Sequence, residues 1–239
     1  TTGYPVMSRI QSDSAQVTIM TNKNCQLYWA VLPKGGTAPK PQDFKTGSIS
    51  GNLGYGTLDA VKNSTMPFKV NNTPLDEMGE YDLYLWLTDY DGAKSSNVKK
   101  VSFKTVDGTP PVVRSIEQTG AAAKSVTMTF QINEPADLYW AVVKANEDFL
   151  RPVTAGGAKP GMSDLAAKTQ VEAGIGAVKN GKATASKADT NATFTISGLE
   201  EMTSYDLYYV AKDKAGNYSE VVGKITVNTQ DNQPPTVIQ

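Results

Sequence analysis

Two strand-like stretches of this chain recur in the same order, and nothing else constrains its fold as strongly. Gln-Leu-Tyr-Trp-Ala-Val-Leu at 26–32 returns as Asp-Leu-Tyr-Trp-Ala-Val-Val at 137–143. Glu-Tyr-Asp-Leu-Tyr at 80–84 returns as Ser-Tyr-Asp-Leu-Tyr at 204–208. The two returns are not equally spaced: Leu138 follows Leu27 by 111 positions, and Tyr205 follows Tyr81 by 124. Each copy is therefore a whole domain rather than a 20–50-residue solenoid unit. The second copy carries extra residues between its two matching stretches. Fixed flanks around a variable middle describe a scaffold with an insertion, and insertions are where specificity is usually placed.

The edges of the copies give domain limits. Pro5-Val6-Met7 matches Pro111-Val112-Val113, so each copy opens with a strand after proline, and Pro234-Pro235-Thr236-Val237 reads as the same opening again. The expected division is a first domain over 1–107, a second with the longer insertion over 108–231, and the start of a following repeat over 232–239. The third opening and the absence of an initiator Met suggest a stretch of a longer repetitive protein or a trimmed mature chain. Thr109-Pro110-Pro111 makes a short, stiff linker.

Alternation with period two dominates the flanks. Val17 and Ile19, Val126 through Ile132, Tyr81 through Leu87, and Tyr205 through Ala211 each place one set of side chains on a single face. Tyr90-Asp91-Gly92 and Lys214-Ala215-Gly216-Asn217 carry turn chemistry between such runs. Six or seven short strands per copy predict an all-β chain of two β-sandwiches. The inserted segments include two short helix candidates, around Pro39–Lys45 and from an N-cap at Ser163 through Leu165 to Val171.

Composition removes several classes of function. Basic and acidic residues number 23 and 24, a net charge of −1, so no basic field exists to hold a phosphate backbone. No apolar run approaches the length of a membrane helix. With no histidine, Ser-His-Asp and Cys-His catalysis and His-based metal sites cannot be assembled. The single cysteine, Cys25, can form neither an intrachain disulfide nor a zinc thiolate site; its counterpart is Ala136. Gly51-Asn-Leu-Gly-Tyr-Gly56 lacks the Lys-Ser/Thr of a phosphate loop. Asp76-Glu77 and Glu200-Glu201 read as solvated turn acids. The expectation is a chain that is not an enzyme and has no required cofactor. Calcium is the one metal with candidate ligands: Asp89 and Asp91, Asp213 and Asn217, and Asp107 and Asp231 at the linkers.

Leu199-Glu-Glu-Met-Thr-Ser-Tyr205 resembles the Leu-x-x-x-Thr-x-Tyr pattern that precedes the sixth strand of fibronectin type III domains. Leu75-Asp-Glu-Met-Gly-Glu-Tyr81 keeps the spacing with Gly79 in place of Thr. The stretch 205–217 and the Asp-x-x-Pro-Pro linkers are similar to fibronectin III-like or immunoglobulin-like tandem repeats of Gram-positive bacterial surface proteins. The resemblance implies a modular, secreted or cell-surface protein. It implies a structural tyrosine corner at Tyr81 and Tyr205, and a role as a non-catalytic spacer or adhesive repeat. Partners would be neighbouring repeats of the same chain and extracellular or cell-wall polysaccharide or protein. The alternative is a carbohydrate-binding accessory module of a secreted glycan-degrading enzyme. That alternative needs an open aromatic platform. If Tyr81, Leu83, Leu85 and Leu87 face the core, Asp82, Tyr84, Trp86 and Thr88 face outward, with Tyr28 or Trp29 beside them. Tyr84, Trp86 and, in the second copy, Tyr208 are the candidate ligand-facing aromatics. The competing expectation is that the insertion covers them, packing Phe44 or Leu58 on Trp86. Val210 stands where Trp86 does in the first copy, which favours the covered arrangement.

Overall fold

The computed structural model describes residues 3–70, 73–150 and 164–232. It divides into two compact units, Thr1–Gly108 and Thr109–Gln239. The Ser163 cap and the Pro234-Pro235 opening lie outside the described residues.

The first unit runs β1 (Val6–Ser8), β2 (Gln16–Met20), β3 (Cys25–Pro33), α1 (Pro41–Thr46), β4 (Gly54–Ala60), β5 (Thr65–Lys69), β6 (Glu80–Thr88) and β7 (Lys99–Lys104). Its strands form a three-stranded sheet, β1-β2-β5, and a four-stranded sheet, β4-β3-β6-β7, antiparallel throughout. The second unit repeats the plan with β8 (Val113–Ala122), β9 (Ser125–Ile132), β10 (Ala136–Lys144), α2 (Asp164–Ala173), β11 (Lys179–Ala185), β12 (Ala192–Ser197), β13 (Ser204–Asp213) and β14 (Gly223–Asn228). Its sheets are β8-β9-β12 and β11-β10-β13-β14. Among the described residues the chain is all-β, two tandem fibronectin III/immunoglobulin-like sandwiches of seven strands each.

Burial follows the alternation. In β9, Val126, Met128, Phe130 and Ile132 are fully buried while Ser125, Thr127, Thr129 and Gln131 are partly exposed. The first core gathers Val17, Leu27, Val31, Leu83 and Leu85 between its sheets. The second unit fills the same space with Val126, Val142, Leu207 and Val227, continued by Phe130 and Leu138. A fully buried side chain of this size contributes about 1.5–3 kcal/mol, so these inward rows hold each sandwich together.

The tyrosine corner is present in both units. The Tyr81 hydroxyl accepts from the Asp76 amide at 2.8 Å and donates to the Asp76 carbonyl at 3.2 Å. The Tyr205 hydroxyl accepts from the Glu200 amide at 2.8 Å. A threonine past the last strand braces each corner, a residue that sequence reasoning did not single out. Thr105 Oγ1 donates to the Asp76 carbonyl at 2.7 Å and accepts from the Gly79 amide at 2.9 Å. Thr229 Oγ1 does the same with the Glu200 carbonyl at 2.7 Å and the Thr203 amide at 3.0 Å. Gly79 departs from the threonine pattern for a local reason. A Cβ there would lie 2.3 Å from the Tyr81 hydroxyl.

Candidate functional site

The extra residues of the second copy sit between β10 and β11, over 145–178, against 34–53 between β3 and β4 in the first. Each insertion returns a helix to the outer face of its own four-stranded sheet.

Helix α1 starts at Pro41, whose fixed φ suits a first helical position. Asp43 accepts from the Lys40 amide at 2.8 Å, and Gly47 ends the helix with φ +70°. Its Phe44 is buried and stacks on Trp86 with centroids 6.1 Å apart and planes 20° apart. Tyr28 meets the same indole at 5.2 Å, and Lys45 lies 5.7 Å over the ring. Ala30, Leu32, Phe44, Ile49, Tyr84 and Trp86 form one buried cluster. Tyr84 is 5% exposed and Trp86 2%. An open platform at Tyr84 and Trp86 is thereby corrected: the face is aromatic, and the helix occupies it. Tyr28 contributes to it, whereas Trp29 turns inward to the core. Leu58 also turns inward, opposite Leu27, and does not meet Trp86. Among the described residues, the buried indole nitrogens of Trp86 and Trp140 have no hydrogen-bond acceptor.

In the second unit, Val171 of α2 packs with Phe149, Ala141, Val143 and Val210, while Leu165 is exposed. Tyr208 is half-buried, 5.1 Å from the Phe149 ring, with Lys224 5.5 Å over it. A polar clamp adds to the packing. Lys212 on β13 donates to Glu172 of α2 at 2.9 Å and to the Tyr218 hydroxyl at 3.1 Å, and Tyr218 donates to Glu172. Burial works against the Glu172 carboxylate, yet the Tyr218 and Lys212 donors hold its pKa below the ordinary glutamate value.

The Asp of the repeated Tyr-Asp-Leu-Tyr motif anchors both insertions at their start. Buried Asp82 accepts from Ser102 Oγ at 2.6 Å, from the Gly35 amide at 3.1 Å and from Lys100 at 3.4 Å. Buried Asp206 accepts from Thr226 Oγ1 at 3.0 Å, from the Asn146 amide at 3.1 Å and from Lys224 at 2.8 Å. Burial pushes both carboxyls up, and these donors outweigh it, leaving both pKa values lowered.

Two of the acids considered for calcium, Asp213 and Asp91, hold turn amides. Asp213 accepts from the Gly216 and Asn217 amides at 2.7 and 2.9 Å and from the Asn217 side chain at 2.8 Å. Asp91 accepts from the Ala93 amide at 2.9 Å, and Asp89 pairs with Lys23. Asp107 follows β7 and Asp231 follows β14. Cys25 lies in the first core, where burial pushes its thiol up. It backs a cleft of about 370 Å³ lined also by Thr21, Lys23, Thr88, Asp89 and Ser96. Three hydroxyls there are engaged: Thr21 donates to the Lys23 carbonyl, Thr88 to those of Asp89 and Lys94, and Ser96 to that of Asn97. Among the described residues, no helix is long and apolar enough to cross a membrane.

No family model and no curated protein matches the chain. Among solved structures, the FN1–FN3 domains of chicken CNTN1 are similar at 10% identity, over 95% of this chain and 67% of that one, with a TM-score of 0.40. A two-domain fibronectin type III segment of chicken tenascin is similar at 13% identity, over 94% of this chain and 97% of that one, with a TM-score of 0.31.

Proposed function

We propose that these units are non-catalytic spacer or adhesive repeats of a bacterial cell-surface or secreted protein, placed outside the cell beside further repeats of the same chain. The observation that carries the reading is the packing of each unit's own insertion onto its outer sheet face, Phe44 on Trp86 in one and Val171 beside Val210 in the other. A face occupied from within serves rigidity and leaves less of it for capture. The polar side chains with chemical potential are also taken up by the scaffold: Asp82, Asp206 and Glu172 hold loops and a helix in place. The similarity of 205–217 and of the proline linkers to bacterial surface repeats supports the extracellular setting. In single-molecule pulling, the chain should give two separate unfolding events, each releasing roughly 350–400 Å of contour, with refolding on relaxation. A single event, or failure to refold, counts against a load-bearing spacer.

The second reading, a carbohydrate-binding accessory module, draws on one observation. Tyr139 and Tyr208, on the outer side of the second unit's four-stranded sheet, remain partly exposed. Affinity electrophoresis through gels containing soluble plant, fungal and bacterial polysaccharides separates the two readings. Unchanged mobility favours the spacer. Retardation abolished by Tyr139→Ala or Tyr208→Ala replaces it with the binding module.

A further inference from the structure

One exposed apolar residue recurs at the same place in both units. Met78 and Met202 sit in the loops that lead to the corner tyrosines, 52% and 71% exposed. Both adopt left-handed backbone, φ +56° and +48°. That conformation favours glycine or asparagine, and a long side chain is uncommon in it. The surrounding positions differ between copies: Asp76, Gly79 and Glu80 become Glu200, Thr203 and Ser204. Methionine nonetheless occupies the strained position twice. The backbone around it is held independently of its side chain. The Met78 amide donates to the Val106 carbonyl and the Met202 amide to that of Gln230, both at 3.4 Å.

The other described methionines are shielded to different degrees. Met128 is fully buried in the second core. Met7, Met20 and Met66 are half-buried, and the Met66 sulfur accepts from the Val61 amide at 3.2 Å.

We propose that Met78 and Met202 are the sites at which each unit takes up oxygen from peroxides without loss of its fold. The sulfur lone pair attacks one oxygen of hydrogen peroxide, the O–O bond breaks and an S–O bond forms. The departing hydroxide takes the proton of the transferred oxygen and leaves as water. Sulfur is oxidised by two electrons, and the peroxide is reduced by the same two. The sulfoxide is polar and chiral, which disrupts a core but is accommodated by a side chain already in water. Each sandwich thus offers peroxide a thioether on its surface before one in its interior.

The test is peroxide treatment of the native chain, followed by peptide mass mapping and thermal melting. Met78 and Met202 should gain oxygen at least about tenfold faster than Met128, with Met7, Met20 and Met66 between. Met162 lies outside the described residues and is followed on the same map. The melting midpoint should stay level while the two sites convert. In the Met78→Leu/Met202→Leu variant both fast conversions should vanish and the midpoint should hold. Equal rates at Met128 and Met202, or a midpoint that falls in step with oxidation at 78 and 202, overturns the proposal.

Discussion

Trp140 lies flat on Phe194 across the second sandwich, ring centroids 5.4 Å apart and planes 15° apart, in a space kept clear by Gly181 on the neighbouring strand. Trp29, Phe68 and Gly56 make the same arrangement in the first unit, with centroids 5.8 Å apart and a 35° tilt. A Cβ at Gly181 would meet the indole at 2.6 Å, and one at Gly56 at 3.0 Å. Overpacking of this kind costs roughly 1–3 kcal/mol. Gly181→Ala should therefore lower the melting midpoint of its unit by several degrees, and Gly56→Ala by less. Differential scanning calorimetry of the two single variants checks the order.

Removing a corner hydroxyl leaves a buried amide without its acceptor. Tyr205→Phe strands the Glu200 amide, and Tyr81→Phe strands the Asp76 amide, while the Asp76 carbonyl keeps its bond from Thr105. Each should cost about 1–3 kcal/mol, read from chemical denaturation. Thr229→Val should cost a similar amount, because Thr229 braces the same corner through the Glu200 carbonyl and the Thr203 amide.

Phe44 keeps water from Trp86. Phe44→Ala should destabilise the first unit by about 3–5 kcal/mol and shift part of the tryptophan emission to the red. Trp29 and Trp140 belong to other clusters, so a Trp86→Phe background should abolish that shift. A red shift that persists there would mean α1 is not what shields the indole.

Acid should loosen both units through Asp82 and Asp206. Their folded pKa values lie below the unfolded ones. The folded chain binds their protons less readily, so their stabilisation is complete above an unfolded value of about 4. It is lost as pH falls through the lowered folded values. The melting midpoints should be level from pH 7 to about 5 and fall below about 4. Asp206→Asn should cost about 2 kcal/mol at pH 7, and its deficit relative to the parent chain should narrow in acid.

Much of this architecture was legible because it is written in local alternation. Inward rows such as Val126 to Ile132 and the outward set Asp82, Tyr84, Trp86 and Thr88 follow from a period of two. Two kinds of feature were not. Whether Tyr28 or Trp29 joins the outer face depends on the register of β3 against β6, where Tyr28 opposes Trp86, and register is a non-local property. The Trp140–Gly181–Phe194 arrangement joins strands of two sheets through residues far apart in sequence. The insertions were legible as length, through the change in repeat spacing. Their covering role was the favoured expectation, but that Phe44 rather than Leu58 reaches Trp86 depends on the fold. Thr105 and Thr229 escaped notice because a threonine after a strand has no distinctive local pattern, although both precede their linkers by the same few residues.

Asp82 and Asp206 hold the second residue of each insertion by its backbone amide, at Gly35 and Asn146. An amide is common to every residue type except proline, but Gly35 and Asn146 both hold left-handed backbone, φ +80° and +67°, so the departure point asks for a residue that adopts it and is otherwise indifferent to the side chains that follow. This helps explain how the two copies carry inserts of different length and sequence on one frame. It also makes these sandwiches usable as display frames. A foreign segment grafted between β3 and β4 would leave the sheet in the native direction provided Asp82 and the left-handed Gly35 are kept, and would then need to supply its own cover for the outer face.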